Sequence, residues 1–450
     1  MKSILTKLVA LCLIAALLCT GCSLFGGTTL NGTDISQYTI VYSQSAPDYC
    51  QRAAAYIQGQ ILSRTGIEVP VCEAASGTYP HEILVGETDR ALSAQLDADT
   101  QNVEFAITSD GNHVALEGDY FIIAAAAYYF VETYIPGEHF ESTVPAEVSI
   151  HTPITQPAKN IVFLIGDGMG FNHTKLFEAF DLPDALTDPE METDGEDVFY
   201  GYYLPYQGSV LTGSLSGTTD SAAGATALAC GYKTINSYVG LDSEKNPVMS
   251  LTELAMSMNM ATAVMSTDHL TGATPAGFSA HTDDRDKSNE ISRDQLQYVK
   301  DGGVLLCGLN SDFDYQTTLT DTLALLENDP DGFFMMYEEG HIDKWAHKMN
   351  VPEIFTCVVR FNQVIGLCME HAFYNPDTLV LITADHETGG LTLDENGDPV
   401  CRTDGHTPAE VPIFAYGQGA EVFDDYFDEN NLIPMELAKL WGVPDFGDQG

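Results

Sequence analysis

The sequence predicts an α/β protein: a doubly wound, largely parallel sheet sandwiched by helices, preceded by a small α/β domain. In the second part of the chain, apolar strand-like runs alternate with helical segments, which is typical of a parallel sheet covered by helices on both faces. A separate, shorter pattern of strands and helices comes before residues 152–159, a stretch that contains two prolines. These two observations predict two folded domains joined by a linker.

The first element is an export signal over residues 1–22. Two lysines precede an uncharged apolar stretch, residues 8–18, which is too short to span a bilayer comfortably. The stretch leads into Cys22, in a context similar to a bacterial lipobox, so Cys22 is predicted to carry lipid. The expected product is an extracytoplasmic lipoprotein on a Gly/Thr-rich tether, residues 23–33. A secretory signal that is cut and leaves no anchor is the alternative.

Residues 34–151 are predicted to form the small α/β domain. Its expected strands and helices are 38–42, 48–63 (helix), 67–71, 82–85, 103–108, 113–117 and 120–134 (helix). Asp110-Gly111 between two alternating runs is a strong hairpin signal. The domain loosely resembles the N-terminal domain that precedes the barrel in some hexosaminidase- and glucuronidase-type glycoside hydrolases. That resemblance implies contact with carbohydrate or the cell wall.

The linker is placed at residues 152–158 and the second domain at residues 159–446. The predicted strands of its sheet are 161–165, 262–266, 333–337, 378–383 and 411–416. Ligands of such folds bind beyond the carboxyl ends of the strands, so residues that follow each run are the first candidates for a site.

Composition excludes some classes of function. The formal net charge of −47, from 65 acidic and 18 basic residues, leaves no basic stripe to neutralise phosphates, which excludes nucleic acid as a bulk partner. The seven cysteines beyond the signal lack C-x-x-C spacing, which argues against a disulfide framework or a thiolate metal site. Cys50 and Cys72 are the one pair worth testing for a bridge.

Residues of the types that bind metals lie at four predicted strand ends. They are Asp167 after 161–165, Glu338 after 333–337, adjacent Asp385 and His386 after 378–383, and His406 in the turn before 411–416. Asp343 and His347 follow Glu338, and a helix beginning at Ile342 would place them one turn apart on one face. Each piece is weak alone, but together they indicate a metal site at one edge of the sheet.

Ser221 begins a run of tiny residues within Thr218–Ala227. Small residues allow a helix N-terminus to pack closely and leave its N–H groups open to an anion. Ser221 is therefore either a nucleophile or the cap of a helix expected over residues 222–232. Taken alone, the pattern favours the cap.

Together these motifs resemble the alkaline phosphatase family over about residues 160–442. The resemblance rests on these segments: Gly166–Gly170, Thr219–Ala223, Ala273–Ala276, Glu338 with Ile342–Lys344 and His347, Ala384–His386, and Pro412–Gly417. It reverses the balance at Ser221, because it implies phosphate monoester hydrolysis through a phosphoserine at that residue.

The resemblance also implies two Zn²⁺ and one Mg²⁺. The implied ligands are Asp343, His347 and His406 for one zinc; Asp167, Asp385 and His386 for the other; and Asp167, Thr274 and Glu338 for magnesium. Arg285 would grip the phosphoryl oxygens and Lys344 would approach the phosphate. Imidazole and carboxylate ligands suit zinc, and an oxygen-only set suits magnesium. Three such cations and Arg285 supply about +7, and four carboxylates (Asp167, Asp343, Asp385 and Glu338) subtract four. Roughly +3 is left near Ser221, so even this acidic protein can bind an anion.

One departure from the family pattern concerns Gly272, which stands where the resemblance implies an aspartate near the magnesium.

A phosphodiesterase or related ester hydrolase on the same scaffold is the first alternative function. A surface or carbohydrate-binding lipoprotein with a secondary or inactive hydrolase domain is the second. An acidic, aromatic-rich insertion at residues 180–206 forms either a lip over the site or a surface loop. The sequence leaves homodimer formation open.

Overall fold

The computed structural model describes residues 27–44, 47–96, 103–179, 198–308 and 314–448. These residues form two compact units; the first ends at Pro153 and the second begins at Ile154, within the predicted linker. The predicted export signal and the lipidation site Cys22 lie outside the described residues, as do residues 180–197 of the predicted insertion.

The first unit contains a six-stranded sheet with strand order β4-β3-β5-β7-β6-β9 and a three-stranded sheet with order β2-β1-β8. The strands are β1 Thr28–Leu30, β2 Thr33–Asp34, β3 Thr39–Tyr42, β4 Val71–Glu73, β5 Glu82–Val85, β6 Phe105–Ser109, β7 His113–Glu117, β8 Phe140–Ser142 and β9 Ser149–His151. Helices α1 (Pro47–Thr65) and α2 (Ile123–Tyr134) pack together and against the larger sheet.

Two predictions for this unit are wrong. The tether predicted over residues 23–33 is wrong from Thr28 onward, because β1 pairs with β2 and with β8. The strand predicted at residues 67–71 begins only at Val71. Pro70 has no N–H to donate to a ladder, and pairing with β3 starts from its carbonyl oxygen, which accepts from Ile40 N at 2.8 Å. Cys50 and Cys72 are both described, and no disulfide joins them.

The second unit is built on an eight-stranded sheet with order β13-β12-β14-β10-β15-β20-β11-β21. Its strands are β10 Asn160–Gly166, β11 Tyr206–Val210, β12 Ala261–Ser266, β13 Val304–Cys307, β14 Phe333–Glu339, β15 Thr378–Thr383, β20 Val411–Tyr416 and β21 Tyr426–Phe427. The first five strands in the spatial order are mutually parallel, which confirms the predicted fold class. The short pairs β16 (Glu387–Thr388) with β19 (His406–Thr407) and β17 (Thr392–Leu393) with β18 (Pro399–Val400) lie outside this sheet.

The helices of the second unit connect these strands. They are α3 Phe171–Thr174, α4 Leu176–Ala179, α5 Ser221–Cys230, α6 Leu251–Ser257, α7 Ala273–Gly277, α8 Ser288–Lys300, α9 Tyr315–Leu326, α10 His341–Ala346, α11 Val351–Tyr374 and α12 Leu432–Leu440. Among the described residues, α11 is the one helix long and apolar enough to span a membrane. Its most apolar stretch is mostly buried and it packs against β10 and β15, as a core helix does.

One strand direction decides where the ligand-bearing loops meet. β20 runs antiparallel to β15, so the start of β20 lies at the same edge of the sheet as the carboxyl ends of the parallel strands. His406 precedes β20, whereas Asp167, Glu338 and Asp385 follow their strands. The reversed direction of β20 therefore brings His406 to the edge where the other candidate ligands lie.

Candidate active site

Ser221 is the first residue of α5 and is almost fully buried. The cap of this helix is Asp220, whose carboxylate accepts a hydrogen bond from Ala223 N at 3.0 Å. The Ser221 hydroxyl lies instead 3.1 Å from Nε2 of His386. Helix α5 can pack this closely against the segment of Asp385 and His386 because residue 224 is glycine. A Cβ at that position would lie 2.9 Å from the carbonyl oxygen of Asp385. The interpretation of Ser221 as the helix cap is therefore wrong.

Asp343, His347 and His406 form a first group of candidate metal ligands, whose ligand atoms all lie within 4.8 Å of one another. Helix α10 carries Asp343, and His347 follows it by one turn, as the spacing predicts. His347 Nε2 is 3.3 Å from Asp343 Oδ1 and 3.2 Å from His406 Nε2. Three side chains from two distant segments thus converge on one point.

The outward ring nitrogens of this group are held by backbone carbonyls. His347 Nδ1 lies 2.5 Å from the Asp404 carbonyl oxygen, and His406 Nδ1 lies 2.8 Å from that of Thr219. A carbonyl only accepts, so each Nδ1 carries the proton and each Nε2 presents a lone pair to the site. This is the arrangement in which histidines bind metals. Without a cation, the hydrogen bond with Asp343 raises the pKa of His347 to about 9, so a proton competes for the same position.

A second group surrounds His386. Its Nε2 lies 3.5 Å from Asp167 Oδ1 and 3.3 Å from Asp385 Oδ2. Thr388 Oγ1 donates to Asp343 Oδ1 at 2.6 Å and lies 3.2 Å from His386 Nδ1, so it accepts the proton of that nitrogen. His386 Nε2 is left with a lone pair that faces two carboxylates. Asp167 and Asp385 thus both lie beside His386, as predicted. The three ligand atoms that lie within 4.8 Å of one another are those of Asp167, Asp343 and His386, so Asp343 is shared by both groups.

The charges in this second group call for a cation. Asp167 Oδ1 and Asp385 Oδ2 are buried, and neither has a hydrogen-bond partner among the residues that the structure describes. Burial and the neighbouring carboxylates raise the pKa of both groups, whereas burial lowers the pKa of His386 to about 3. Buried oxygen and nitrogen lone pairs that a proton shared between the two carboxyls would otherwise neutralise fit a divalent metal ion of the zinc type.

The predicted magnesium ligands lie at the same edge. Thr274 is on α7, and its buried hydroxyl has no hydrogen-bond partner within the described part of the chain. Glu338, near the end of β14, accepts a hydrogen bond from Ser266, and burial raises its pKa to about 7. Asp167 follows β10, the strand that pairs with β14. Buried oxygen ligands without a protein cation suit magnesium.

The two predicted phosphate-binding side chains are held by carboxylates. Arg285 Nη1 is 3.4 Å from Asp220 Oδ2, which places the guanidinium beside the residue that precedes Ser221. Lys344 forms a salt bridge with Asp268. Arg285 and Lys344 are 34% and 41% exposed, so both can meet a ligand from solvent.

Sequence reasoning missed residues that orient the ligands. Thr388 was detectable in principle, because it lies two residues after His386 and alternate residues of an extended segment share a face. The ion pair of Glu339 with Arg360, behind Glu338, and the contact of Asp268 with Lys344 carry no such local signal.

A profile of the alkaline phosphatase family matches residues 158–303 and 314–401, which is more than half of the chain. The chain belongs to the alkaline phosphatase family. Ser221, Arg285 and all the candidate metal ligands except His406 lie within the matched residues. His406 lies just beyond them, so its place in the site rests on the geometry given above.

Alkaline phosphatase 3 of Bacillus subtilis is 27% identical over 297 residues, which cover 53% of this chain and 63% of that protein. The alkaline phosphatase of Schizosaccharomyces pombe is 28% identical over 314 residues, covering 52% and 57%. The chain thus spans less than two thirds of the length of these relatives. The solved alkaline phosphatase of the Antarctic bacterium TAB5 has a TM-score of 0.55 and 27% identity, and the match covers 66% of this chain and 99% of that one.

Proposed function

We propose that this member of the alkaline phosphatase family hydrolyses phosphate monoesters, with Ser221 as the nucleophile. The observation that carries the proposal is the position of the Ser221 hydroxyl, 3.1 Å from His386 Nε2, at the point where the lone pairs of Asp167, Asp385 and His386 converge. A nucleophile at this point lies next to the buried carboxylates whose negative charge a bound cation would neutralise.

We assign two Zn²⁺ and one Mg²⁺ to the ligand groups described above. Support comes from the inward lone pairs of three histidines and from the unpartnered oxygens of Asp167, Asp385 and Thr274. When bound, such cations lower the pKa of a nearby hydroxyl or water and offset the charge that develops on phosphoryl oxygens.

The side chains of the protein bind and orient the ester. Arg285 offers a planar fork for two phosphoryl oxygens, and Asp220 holds that guanidinium beside Ser221. Ser221 Oγ forms the bond to phosphorus as the ester P–O bond breaks, and the alcohol leaves. Water then breaks the Ser221–phosphate bond and releases inorganic phosphate. His386 is neutral at working pH, since burial lowers its pKa to about 3, and it holds its Nε2 lone pair toward Ser221 and the carboxylates.

The test compares turnover of 4-nitrophenyl phosphate and bis(4-nitrophenyl) phosphate by the purified chain, with and without a chelator. We expect the monoester to be preferred, and both chelation and Ser221→Ala to lower its turnover by at least about 10³-fold. Ser288→Ala is the matched control, because Ser288 is an exposed serine that also begins a helix.

Zinc- and magnesium-loaded protein that turns over neither substrate contradicts the proposal. Preference for the diester favours the phosphodiesterase alternative instead. Incorporation of phosphate at Ser221, seen by mass spectrometry after acid quenching, reports the covalent intermediate directly.

We also propose that lipid at Cys22 anchors the protein outside the membrane, on the lipobox-like sequence context alone. Cys22→Ala is expected to move the protein from the membrane fraction to the soluble fraction. An unchanged distribution contradicts the anchor. Carbohydrate contact and a homodimer stay predictions.

A further inference from the structure

Glu387 directly follows the candidate ligand His386 but is not a candidate ligand itself. Its side chain is 5% exposed. It lies in β16, which pairs with β19 so that Glu387 is opposite Thr407. The next pair in the register is Thr388 with His406, and both of these side chains contact the metal groups. Successive residues of a strand point to opposite faces, so Glu387 and Thr407 lie on the far side of this strand pair from the metal groups.

The Glu387 carboxylate holds two other parts of the chain. Thr407 Oγ1 donates to Glu387 Oε2, and Leu391 N donates to Glu387 Oε1 at 3.2 Å. The first hydrogen bond holds the strand that carries His406, and the second holds the segment that leaves β16. Both donors are neutral, and within the described part of the chain no cationic side chain forms an ion pair with this carboxylate.

The Glu387 side chain also packs against the turn that carries Asp167. A Cβ on Gly170 would lie 2.4 Å from Glu387 Cγ and 3.2 Å from its Cβ. The φ of Gly170 is −88°, which any residue adopts, so the close contact with Glu387 requires glycine here rather than the backbone conformation. The same turn is bonded to β16, because Thr388 N donates to the Gly168 carbonyl oxygen at 3.0 Å. Glu387 therefore lies behind a third segment that carries a candidate ligand.

We propose that Glu387 is a positioning residue for the two zinc groups. Its side chain connects, from behind, the three segments that carry Asp167, His386 and His406, and so fixes the distances between these ligands. Its hydrogen bonds go to Thr407 and Leu391 and not to a ligand, so it acts through the backbone to which the ligands are attached. The inference rests on the proposed function, because it takes these residues as ligands of bound zinc.

The test measures zinc affinity by competition with a chromogenic chelator, and the visible absorption spectrum of the Co²⁺-loaded chain. Glu387→Ala is expected to lower the affinity of both zinc groups at least about tenfold, the usual effect of losing a residue that supports ligands from outside. The Co²⁺ bands are expected to shift and to change in intensity, because they depend on the arrangement of ligands around the ion. Glu395→Ala is the matched control, since Glu395 is an exposed glutamate in the turn between β17 and β18.

Glu387→Gln separates the position of the side chain from its charge. Glutamine keeps the length of the side chain, its oxygen can accept from Leu391 N, and its NH₂ group can donate to Thr407 Oγ1. We expect its zinc affinity to stay within about threefold of wild type, because both hydrogen bonds can be kept. The Co²⁺ spectrum of this variant should match that of wild type.

Gly170→Ala tests the third contact. The added methyl group meets Glu387 Cγ, so we expect the Co²⁺ spectrum to change as it does for Glu387→Ala. In the Glu387→Ala background the same substitution should change the spectrum much less, because the Cγ that the methyl group meets is gone. The effects of the two substitutions are therefore expected not to add.

A Glu387→Ala protein with the Co²⁺ spectrum of wild type overturns the inference, even if it unfolds at a lower urea concentration, since that loss alone marks a structural role. Zinc affinity within about twofold of wild type in this variant overturns it too. So does a Glu387→Gln protein that binds zinc as weakly as Glu387→Ala, because charge rather than position would then matter. Wild-type protein that binds zinc but turns over neither nitrophenyl ester overturns the proposed function alone, so the two failures are distinguishable.

Discussion

Glu338 and Glu339 are neighbours at the end of β14, yet they lie in opposite electrostatic surroundings. Both are buried, and consecutive residues of a strand point to opposite faces of the sheet. Glu339 receives hydrogen bonds from Arg360 Nε at 2.7 Å and from Thr267 Oγ1 at 3.0 Å. Burial alone would raise its pKa, but the Arg360 guanidinium outweighs burial and lowers the pKa to about 2. Burial raises the pKa of Glu338, which pairs with Ser266, to about 7.

The comparison separates a carboxylate with a structural role, which has a cationic partner in the protein, from a carboxylate available to bind a metal ion, which has none. On the Arg360 side the protein supplies its own cation, and Glu339 also accepts a hydrogen bond from His341 N at the start of α10. On the Glu338 side the neighbours are Asp268 and the candidate magnesium ligands, and the protein supplies no cation that contacts the carboxylate among the described residues. Changing the two sides separately should therefore have different effects on stability and on metal binding.

The largest expected effect is on the Arg360 side. Arg360→Met leaves the buried Glu339 carboxylate without its guanidinium partner and with only weaker donors from Thr267 and His341, so we expect the free energy of unfolding to fall by about 3 kcal/mol. Urea unfolding of the metal-free wild type and variant measures this difference in the free energy of unfolding. Arg293→Met, at an exposed position of α8, is the control and should change little. A loss no larger than that of the control would remove Arg360 from its structural role.

The second-largest expected effect is on metal binding, and it distinguishes Glu338 from Glu339. Glu338→Gln removes a proposed direct ligand, so we expect Mg²⁺ affinity to fall by more than about 100-fold, beyond the effect of losing an outer partner. The metal-free protein should unfold at no lower urea concentration than wild type, since the carboxylate has no protein cation to lose. Glu395→Gln, an exposed site, controls for charge. Destabilisation equal to that of Arg360→Met would contradict the distinction drawn between the two glutamates.

A third change tests an orienting residue rather than a ligand. Thr388→Val keeps the shape of the side chain but removes the hydroxyl that bridges Asp343 and His386. We expect zinc affinity, measured by competition with a chromogenic chelator, to fall about 10- to 100-fold. Thr320→Val on α9 is the matched control. Unchanged zinc affinity would show that the tautomer of His386 is fixed by other contacts.

The smallest effect is a pH dependence. Glu339 has a pKa of about 2 in the folded chain, below its value of about 4.3 in an unfolded chain. Its stabilisation is therefore complete above about pH 4.3 and disappears as the pH falls toward 2. The gap in unfolding free energy between wild type and Glu339→Gln should be constant from pH 7 to 5. As the pH falls below 5, this gap should narrow by at most about 1.4 kcal/mol for each pH unit. A gap that widens on acidification would contradict this assignment.

Much of the fold could be predicted from the sequence, because buried strands are continuous apolar runs. β15 and β20 have the predicted bounds, and β10, β12 and β14 differ by only one or two residues at an end. β11 was missed because Gln207, Gly208 and Ser209 break its apolar pattern, whereas β13 was missed although its four residues are apolar. The antiparallel direction of β20 was not predicted either, since it depends on neighbours in space.

The convergence of the candidate ligands could be predicted from the sequence, but the residues that contact and orient them could not. Residues such as Asp167 and Asp385 follow strands and are visible as a pattern of strand ends. Asp268 meets Lys344, and Glu339 meets Arg360, across long separations in sequence. A surface aspartate and a helix arginine have many alternative partners, and only the packed structure selects one.

The reversed direction of β20 also has a consequence for assembly. The candidate ligand that precedes it, His406, lies near Asp167 only in the folded sheet, so an unfolded chain offers no preformed site. A cation that binds here therefore binds the folded chain and not the unfolded one. The melting temperature of the protein therefore rises with the concentration of that cation by mass action, so the supply of metal helps to determine how much of the chain is folded.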